Sequence, residues 1–141
     1  MADRISEERR SYNMRRIRST GTQIELTARR LVWDLGYRYR LHDRSLPGKP
    51  DMVFRGRRKA VFVHGCFWHQ HPSRDCLDSR VPSSREGYWS PKLARNVQRD
   101  AENAAALEAM GWGVLVVWGC EVERSPAAVR DRVREFMEAD A

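Results

Sequence analysis

At 141 residues the chain is long enough to form one domain with a core of its own, without help from crosslinks. A net charge of +7 and a pI near 9.9 point to a polyanionic partner, and the excess is concentrated: from Arg9 to Lys59 basic residues far outnumber acidic ones, while the segment after Cys120 leans acidic. Three cysteines cannot all pair within the chain, no apolar run reaches the length of a membrane span and the N-terminus carries no apolar signal core, so the expectation is a reduced, cytoplasmic protein without a membrane partner.

Residues 1 to 21 offer only Ile5, Tyr12, Met14 and Ile17 among many arginines, which reads as a basic arm that orders on a partner; residues 22 to 141 then form a single domain. Thr22-Gln23-Ile24-Glu25 has the form of a capping box, and Ile24, Ala28, Leu31, Val32 and Leu35 follow at helical spacing until Gly36. Tyr37 to Leu41 reads as a first strand. Leu46-Pro47-Gly48-Lys49-Pro50 is a turn, and Asp51 to Phe54 is a second strand leading through Arg55-Gly56-Arg57 into a third, Lys59 to Val63, as a hairpin. Beyond Cys76 lies a loop rich in Ser, Pro and Arg that carries Tyr88 and Trp89. Ser90-Pro91 then starts a helix that Gly111 ends, on which Asn96, Asp100 and Asn103 form a polar stripe opposite Val97, Ala101, Ala104 and Leu107. Such a stripe is expected to be the wet face. Gly113 to Trp118 is a fourth strand, and Ser125-Pro126 opens a last helix whose Val129, Val133, Phe136 and Met137 face inward.

Reactive side chains are concentrated between Val61 and Cys76, at the end of the third strand, where α/β proteins keep their chemistry. Cys66, His71 and Cys76 are spaced Cys-x4-His-x4-Cys, and Cys120 follows the fourth strand. Thiolates with a neutral imidazole are the ligand set zinc prefers in structural sites, although this is not a common finger spacing. Phe67 and Trp68, between these ligands, suit a core as well as a binding surface.

The order helix, three strands, helix, strand, helix contains the α-β-β-β-α-β core of restriction-endonuclease-like nucleases, in which a Pro-Asp opens the second strand, as Pro50-Asp51 does here. The acidic-x-Lys usual on the third strand is replaced by Phe62-Val63-His64. PGKPD at 47 to 51, HGCFWH at 64 to 69, Trp89, Lys92, NVQRD at 96 to 100, Gly111-Trp112 and Trp118-x-Cys120 together resemble the very-short-patch-repair mismatch endonucleases of bacteria, over residues 11 to about 122.

That resemblance implies a catalytic Mg2+ held by Asp51 and by the backbone carbonyl of Val63, an acid/base His69 paired with Asp100, and accessory active-site positions at His64 and Glu25. It implies a structural Zn2+ on Cys66, His71, Cys76 and Cys120; the loop between His71 and Cys76 departs from the family pattern, which leaves Asp75 as an alternative to Cys76. Phe67, Trp68 and Trp89 match wedges that enter the duplex beside the mismatch, Lys92 and Asn96 match residues near the mispaired bases, and Met14 contacts the opposite groove. The implied activity is Mg2+-dependent nicking of one strand of double-stranded DNA next to a T:G mismatch left by 5-methylcytosine deamination, by a monomer, with mismatch-repair proteins as further partners. Two other readings stand beside it: a nuclease of the same fold with another mismatch or sequence specificity, and a zinc-stabilised DNA-binding module without catalysis.

Overall fold

The computed structural model describes residues 23–72 and 86–139, with the backbone alone at 67, 68 and 86–89. The basic arm, Met14, Asp75 and Cys76 lie outside the described residues. In chain order the elements are α1 (Gln23–Asp34), β1 (Arg40–Leu41), β2 (Met52–Phe54), a 3-10 turn at Arg55–Arg57, β3 (Lys59–His64), α2 (Cys66–His69), α3 (Glu86–Ala109), β4 (Gly113–Trp118), α4 (Gly119–Arg124) and α5 (Pro126–Glu138).

The four strands form one sheet in the order β1-β2-β3-β4, antiparallel at the first two pairings and parallel at the last. A parallel pair needs a long crossover, and α2 with α3 supplies it between β3 and β4. All six residues of β3 are buried, as expected of a strand covered on both faces. Its alternation divides the core. Val61 and Val63 join Met52, Phe54 and Val117 under α1, α4 and α5, with Ala28, Leu31, Val32, Val122, Val129, Val133 and Met137. Ala60 and Phe62 face the other way and pack with Leu46, Val53 and Leu107 of α3, and with Trp112, Val114 and Val116.

Three elements differ from the sequence expectation. The first strand is only Arg40–Leu41, because the segment before it is bound to the end of α1: the Arg38 guanidinium lies 3.6 Å from the Trp33 ring centroid and donates to the carbonyls of Trp33 and Tyr37. Helix α3 starts at Glu86 and runs through Pro91, which omits one ladder hydrogen bond in the second turn rather than opening the helix. Two short helices, α2 and α4, were not expected; each turns the chain directly after a strand end.

Lys59 has an apolar neighbourhood and no carboxylate partner among the described residues. Its Nζ donates to the carbonyls of Phe136, of Met137 at 3.2 Å and of Ala139 at 2.5 Å, and Arg57 donates to Met137 O at 3.0 Å. The last carbonyls of a helix have no intrahelical donors and carry partial negative charge, so a lysine here caps α5 against the start of β3. Lys59→Met keeps the bulk and removes the donor, and is expected to lower unfolding free energy by about 2 kcal/mol, the scale of losing hydrogen bonds to buried acceptors. Urea denaturation reads this directly; an unchanged midpoint would mean that water serves those carbonyls equally well.

Candidate active site

The parallel register of β3 and β4 ends with His64 opposite Trp118. The residues two places beyond each, Cys66 and Cys120, are therefore brought side by side at the starts of α2 and α4, and the Cys120 N–H donates to Cys66 Sγ at 3.4 Å. Gly119, directly before Cys120, lets the start of α4 pack closely on α1, since a Cβ there would stand 2.8 Å from the Ile24 side chain. His71 completes a triangle: its Nδ1 is 3.7 Å from Cys66 Sγ and 3.3 Å from Cys120 Sγ. Tetrahedral zinc with bonds near 2.3 Å to sulfur and 2.0 to 2.1 Å to nitrogen holds such atoms about 3.5 Å apart, so these three donors fit that ion. Neither cysteine is in a disulfide.

A second cluster shares the same segment but faces the opposite way. The rings of His64 and His69 stack at 3.8 Å and 4°, and His69 Nδ1 is 2.5 Å from Asp100 Oδ2 on α3. The Trp118 indole stands between the two clusters, edge-on to His64 and stacked on His71 at 4.4 Å. Burial, then the charge of His69, push the His64 pKa down to about 4 despite Asp100, so His64 is neutral at neutral pH. His69 is only partly buried, and Asp100 engages its Nδ1, which directs Nε2 away from the carboxylate.

The third cluster contains Asp51. It is buried where β2 begins, and its Oδ2 accepts from the Val63 N–H at 2.7 Å, which ties it to the end of β3. Glu25 of α1, only 2 % exposed, faces it; Arg29 binds Glu25 Oε2, and His42 Nε2 lies 3.0 Å from Glu25 Oε1 and 3.5 Å from Asp51 Oδ1. Burial, then the hydrogen bond with Glu25, push the Asp51 carboxyl up to about 8. Burial opposes ionisation of Glu25 too, but its hydrogen bonds with Asp51 and His42 and the Arg29 charge outweigh it and hold that carboxyl below its ordinary value. Two buried carboxylates turned toward one imidazole, with every donor atom within 4.8 Å of the others, suit a divalent cation.

Sequence reasoning did not single out His42. The signal was in the hairpin register: Arg40 pairs with Val53 and Leu41 with Met52, so the next residue falls opposite Asp51, whose carbonyl accepts from the His42 N–H at 3.4 Å. The faces of α3 were also assigned the wrong way round in part. Leu93 and Leu107 are buried, and Asn96, Asp100 and Asn103 lie on the same side between them, whereas Val97 is 43 % exposed and Ala101 is exposed. The polar stripe does not face bulk solvent but walls a cleft with His69, Arg99 and the turn residues Gly48 and Lys49. Gly48 has φ +79°, and a Cβ on it would sit 3.0 Å from Asn103, so both the turn and the close contact with α3 require glycine. Of the residues matched to DNA contacts, Asn96 lines this cleft and Lys92 is exposed on the preceding turn of α3. Phe67 and Trp68 fall in α2 and Trp89 in the first turn of α3; their side chains lie outside the described part.

A three-layer α/β domain with a Pro-Asp entering the second strand of a mixed four-stranded sheet fits the restriction-endonuclease-like class. Comparison with known proteins agrees. The family model described as DNA mismatch endonuclease Vsr matches residues 2–76, which takes in both the PGKPD turn and the HGCFWH segment. The chain is 48% identical to the Type II nicking enzyme V.XorIIP of Xanthomonas oryzae pv. oryzae over 98% of each protein. It is 38% identical to the DNA mismatch endonuclease Vsr of Escherichia coli over 97% of this chain and 88% of that one, and 37% identical to the Type II nicking enzyme V.NmeAIP of Neisseria meningitidis over 99% of both. The chain belongs to the DNA mismatch endonuclease Vsr family and is an endonuclease, a hydrolase that cleaves DNA. Among the described residues no helix is long and apolar enough to cross a membrane.

The elevated Asp51 carboxyl has a measurable consequence. A folded pKa above the unfolded value of 3.8 contributes stability that is complete below that value and is lost as pH rises through about 8. Asp51→Asn keeps an acceptor for the Val63 N–H and removes the titration. In magnesium-free buffer it is expected to be more stable than the wild type, by a margin that widens from about pH 5 to about pH 8 and reaches at least about 1 kcal/mol. Denaturation midpoints across that range check it; a margin independent of pH would mean that Asp51 is ionised throughout.

Proposed function

We propose that this endonuclease is Mg2+-dependent and nicks one DNA strand beside a T:G mismatch left by deamination of 5-methylcytosine, with a structural zinc ion supporting the site. The observation that carries the catalytic part is the Asp51 carboxylate, fixed by the Val63 N–H and faced by Glu25, on the same sheet end as the Asp100-oriented His69. The names of the relatives as nicking enzymes and as a mismatch endonuclease support single-strand cleavage at a mismatch.

Asp51 and the Val63 carbonyl would hold the Mg2+, with Glu25 beside them. Bound there, the ion supplies charge stabilisation at the phosphoryl group and a more acidic water. The protein's own groups do the rest. Asp100 holds the His69 ring by Nδ1, so Nε2 is left to exchange a proton with the attacking water or the departing oxygen. Neutral His64, stacked on His69, fixes the plane of that ring without adding a competing charge. Cys66, His71 and Cys120, with Cys76 as the fourth ligand, hold Zn2+ and anchor α2 to α4; α2 carries Phe67 and Trp68, which with Trp89 enter the duplex. A mismatch costs less to unstack than a paired step, which favours wedge binding there. Lys92, Asn96 and, from the basic arm of residues 1 to 21, Met14 complete the DNA contacts.

Nicking of otherwise identical duplexes that contain T:G, another mismatch or none tests the reading. Wild type should cut one strand of the T:G duplex in Mg2+. Asp51→Asn and His69→Ala should each lose at least about a hundredfold in rate while DNA affinity changes little. Equal cutting of a different mismatch would favour altered specificity, and binding without any cleavage in Mg2+ or Mn2+ would leave the DNA-binding module. For zinc, elemental analysis should find it in stoichiometric amount. Cys120→Ser should lose it together with a large part of the folding free energy, since structural zinc contributes on the order of 10 kcal/mol in small domains. Folded wild type free of zinc would refute that assignment.

A further inference from the structure

His42 is assigned no role by the family resemblance, yet it is the residue whose ring closes the Asp51 cluster. It stands at the end of β1 with φ +47°, a left-handed conformation uncommon outside glycine. Its Nε2 is the atom turned toward both carboxylates.

The arrangement of partners distinguishes inner from outer atoms. Glu25 Oε2 is bound by Arg29 and Asp51 Oδ2 by the Val63 N–H. The atoms that converge are Glu25 Oε1, Asp51 Oδ1 and His42 Nε2, at 3.0 and 3.5 Å from the imidazole nitrogen. Cations of this size bind at about 2.1 to 2.2 Å, and neighbouring ligands on an octahedron then lie about 3.0 Å apart. The outer oxygens are thus held by the groups that usually orient a ligating carboxylate; the imidazole nitrogen stands at that ligand spacing from Glu25 Oε1 and within about 0.5 Å of it from Asp51 Oδ1.

Resting on the reading of Asp51 as a divalent-cation ligand, we infer that His42 is a further protein ligand of that same ion, joining Asp51 and the Val63 carbonyl from the side of Glu25 and giving the site a preference for Mn2+ over Mg2+. Magnesium takes oxygen ligands and dehydrates reluctantly, whereas manganese accepts an imidazole more readily and stands within the series whose affinity for nitrogen donors rises from left to right. Ligation uses the tautomer with the proton on Nδ1, leaving the Nε2 lone pair for the ion. A histidine that only oriented Glu25 would have no preference between the two ions.

The test is a Mn2+ titration of the full zinc-loaded chain without DNA, with bound Mn2+ examined by pulsed electron paramagnetic resonance. Wild type should show nitrogen modulation from a directly bound imidazole. His42→Gln should lose that modulation and bind Mn2+ about tenfold more weakly, while Mg2+, measured by competition, shifts less than about twofold. His69→Ala should retain the modulation. The wild-type spectrum needs no variant to fold: absent imidazole modulation, or no Mn2+ binding at millimolar ion, overturns the inference, as does modulation that persists in His42→Gln. Asp51→Asn separates this from the underlying reading. If it binds Mn2+ as well as wild type does, Asp51 is not a ligand and the proposed catalytic site is misplaced; if it loses the ion while His42→Gln keeps the wild-type ion preference, only the role of His42 fails.

Discussion

Strand β3 is hydrogen-bonded along both edges, antiparallel to β2 and parallel to β4, and the rest of the domain depends on that double pairing. On one edge it aligns Met52 with Val61, which leaves the Asp51 carboxylate within reach of the Val63 N–H. On the other it aligns His64 with Trp118, which sets Cys66 against Cys120. Because side chains alternate along a strand, a slip of one residue on either edge would turn each of these groups to the wrong face. Burial of all six β3 residues between two apolar layers makes such a slip costly.

From that strand end the chain sorts its imidazoles and thiols. His64, Cys66, His69 and His71 lie within eight positions, but they alternate between two clusters, His64 and His69 toward Asp100 and Cys66 and His71 toward Cys120. The single turn of α2 does the sorting: residues five apart come out on one side of the chain, and backbone bonds from His69 N to Gly65 O and from His71 N to Cys66 O hold the turn. Trp118 fills the space between. Its indole is edge-on to His64 and stacked on His71, so it separates the thiol-bearing cluster from the one that contains Asp100.

The basic composition and the buried carboxylates are complementary rather than contradictory. The excess positive charge lies in the segment from Arg9 to Lys59, where it attracts phosphate over long range. Within that field Asp51 and Glu25 are buried away from the surface, and Arg29 balances the Glu25 charge locally. A carboxylate pair exposed on this face would instead repel the backbone it has to approach.

Much of this molecule is legible in the residues because it is encoded locally. Apolar periods of two and of 3.6, the Pro47-Gly48 turn and the Gly111 stop mark the element order, and the PGKPD and HGCFWH segments supply residues to all three side-chain clusters. The inward polar face of α3 was not legible, because Asn96, Asp100 and Asn103 look like a solvated stripe until the turn carrying Gly48 and Lys49 is seen to close over them. The start of α3 before Pro91 and the brevity of β1 likewise depended on contacts rather than on pattern. Nor was His42 legible, since a lone histidine beside Asp43 has no signature by itself. It acquires one only from the hairpin register that places it opposite Asp51 and from the helix that brings Glu25 across the sheet. Sequence alone determined which chemical groups were available and the elements that carry most of them; tertiary structure decided which groups meet, because side chains far apart in the chain converge only when strand pairing and helix packing bring their elements together.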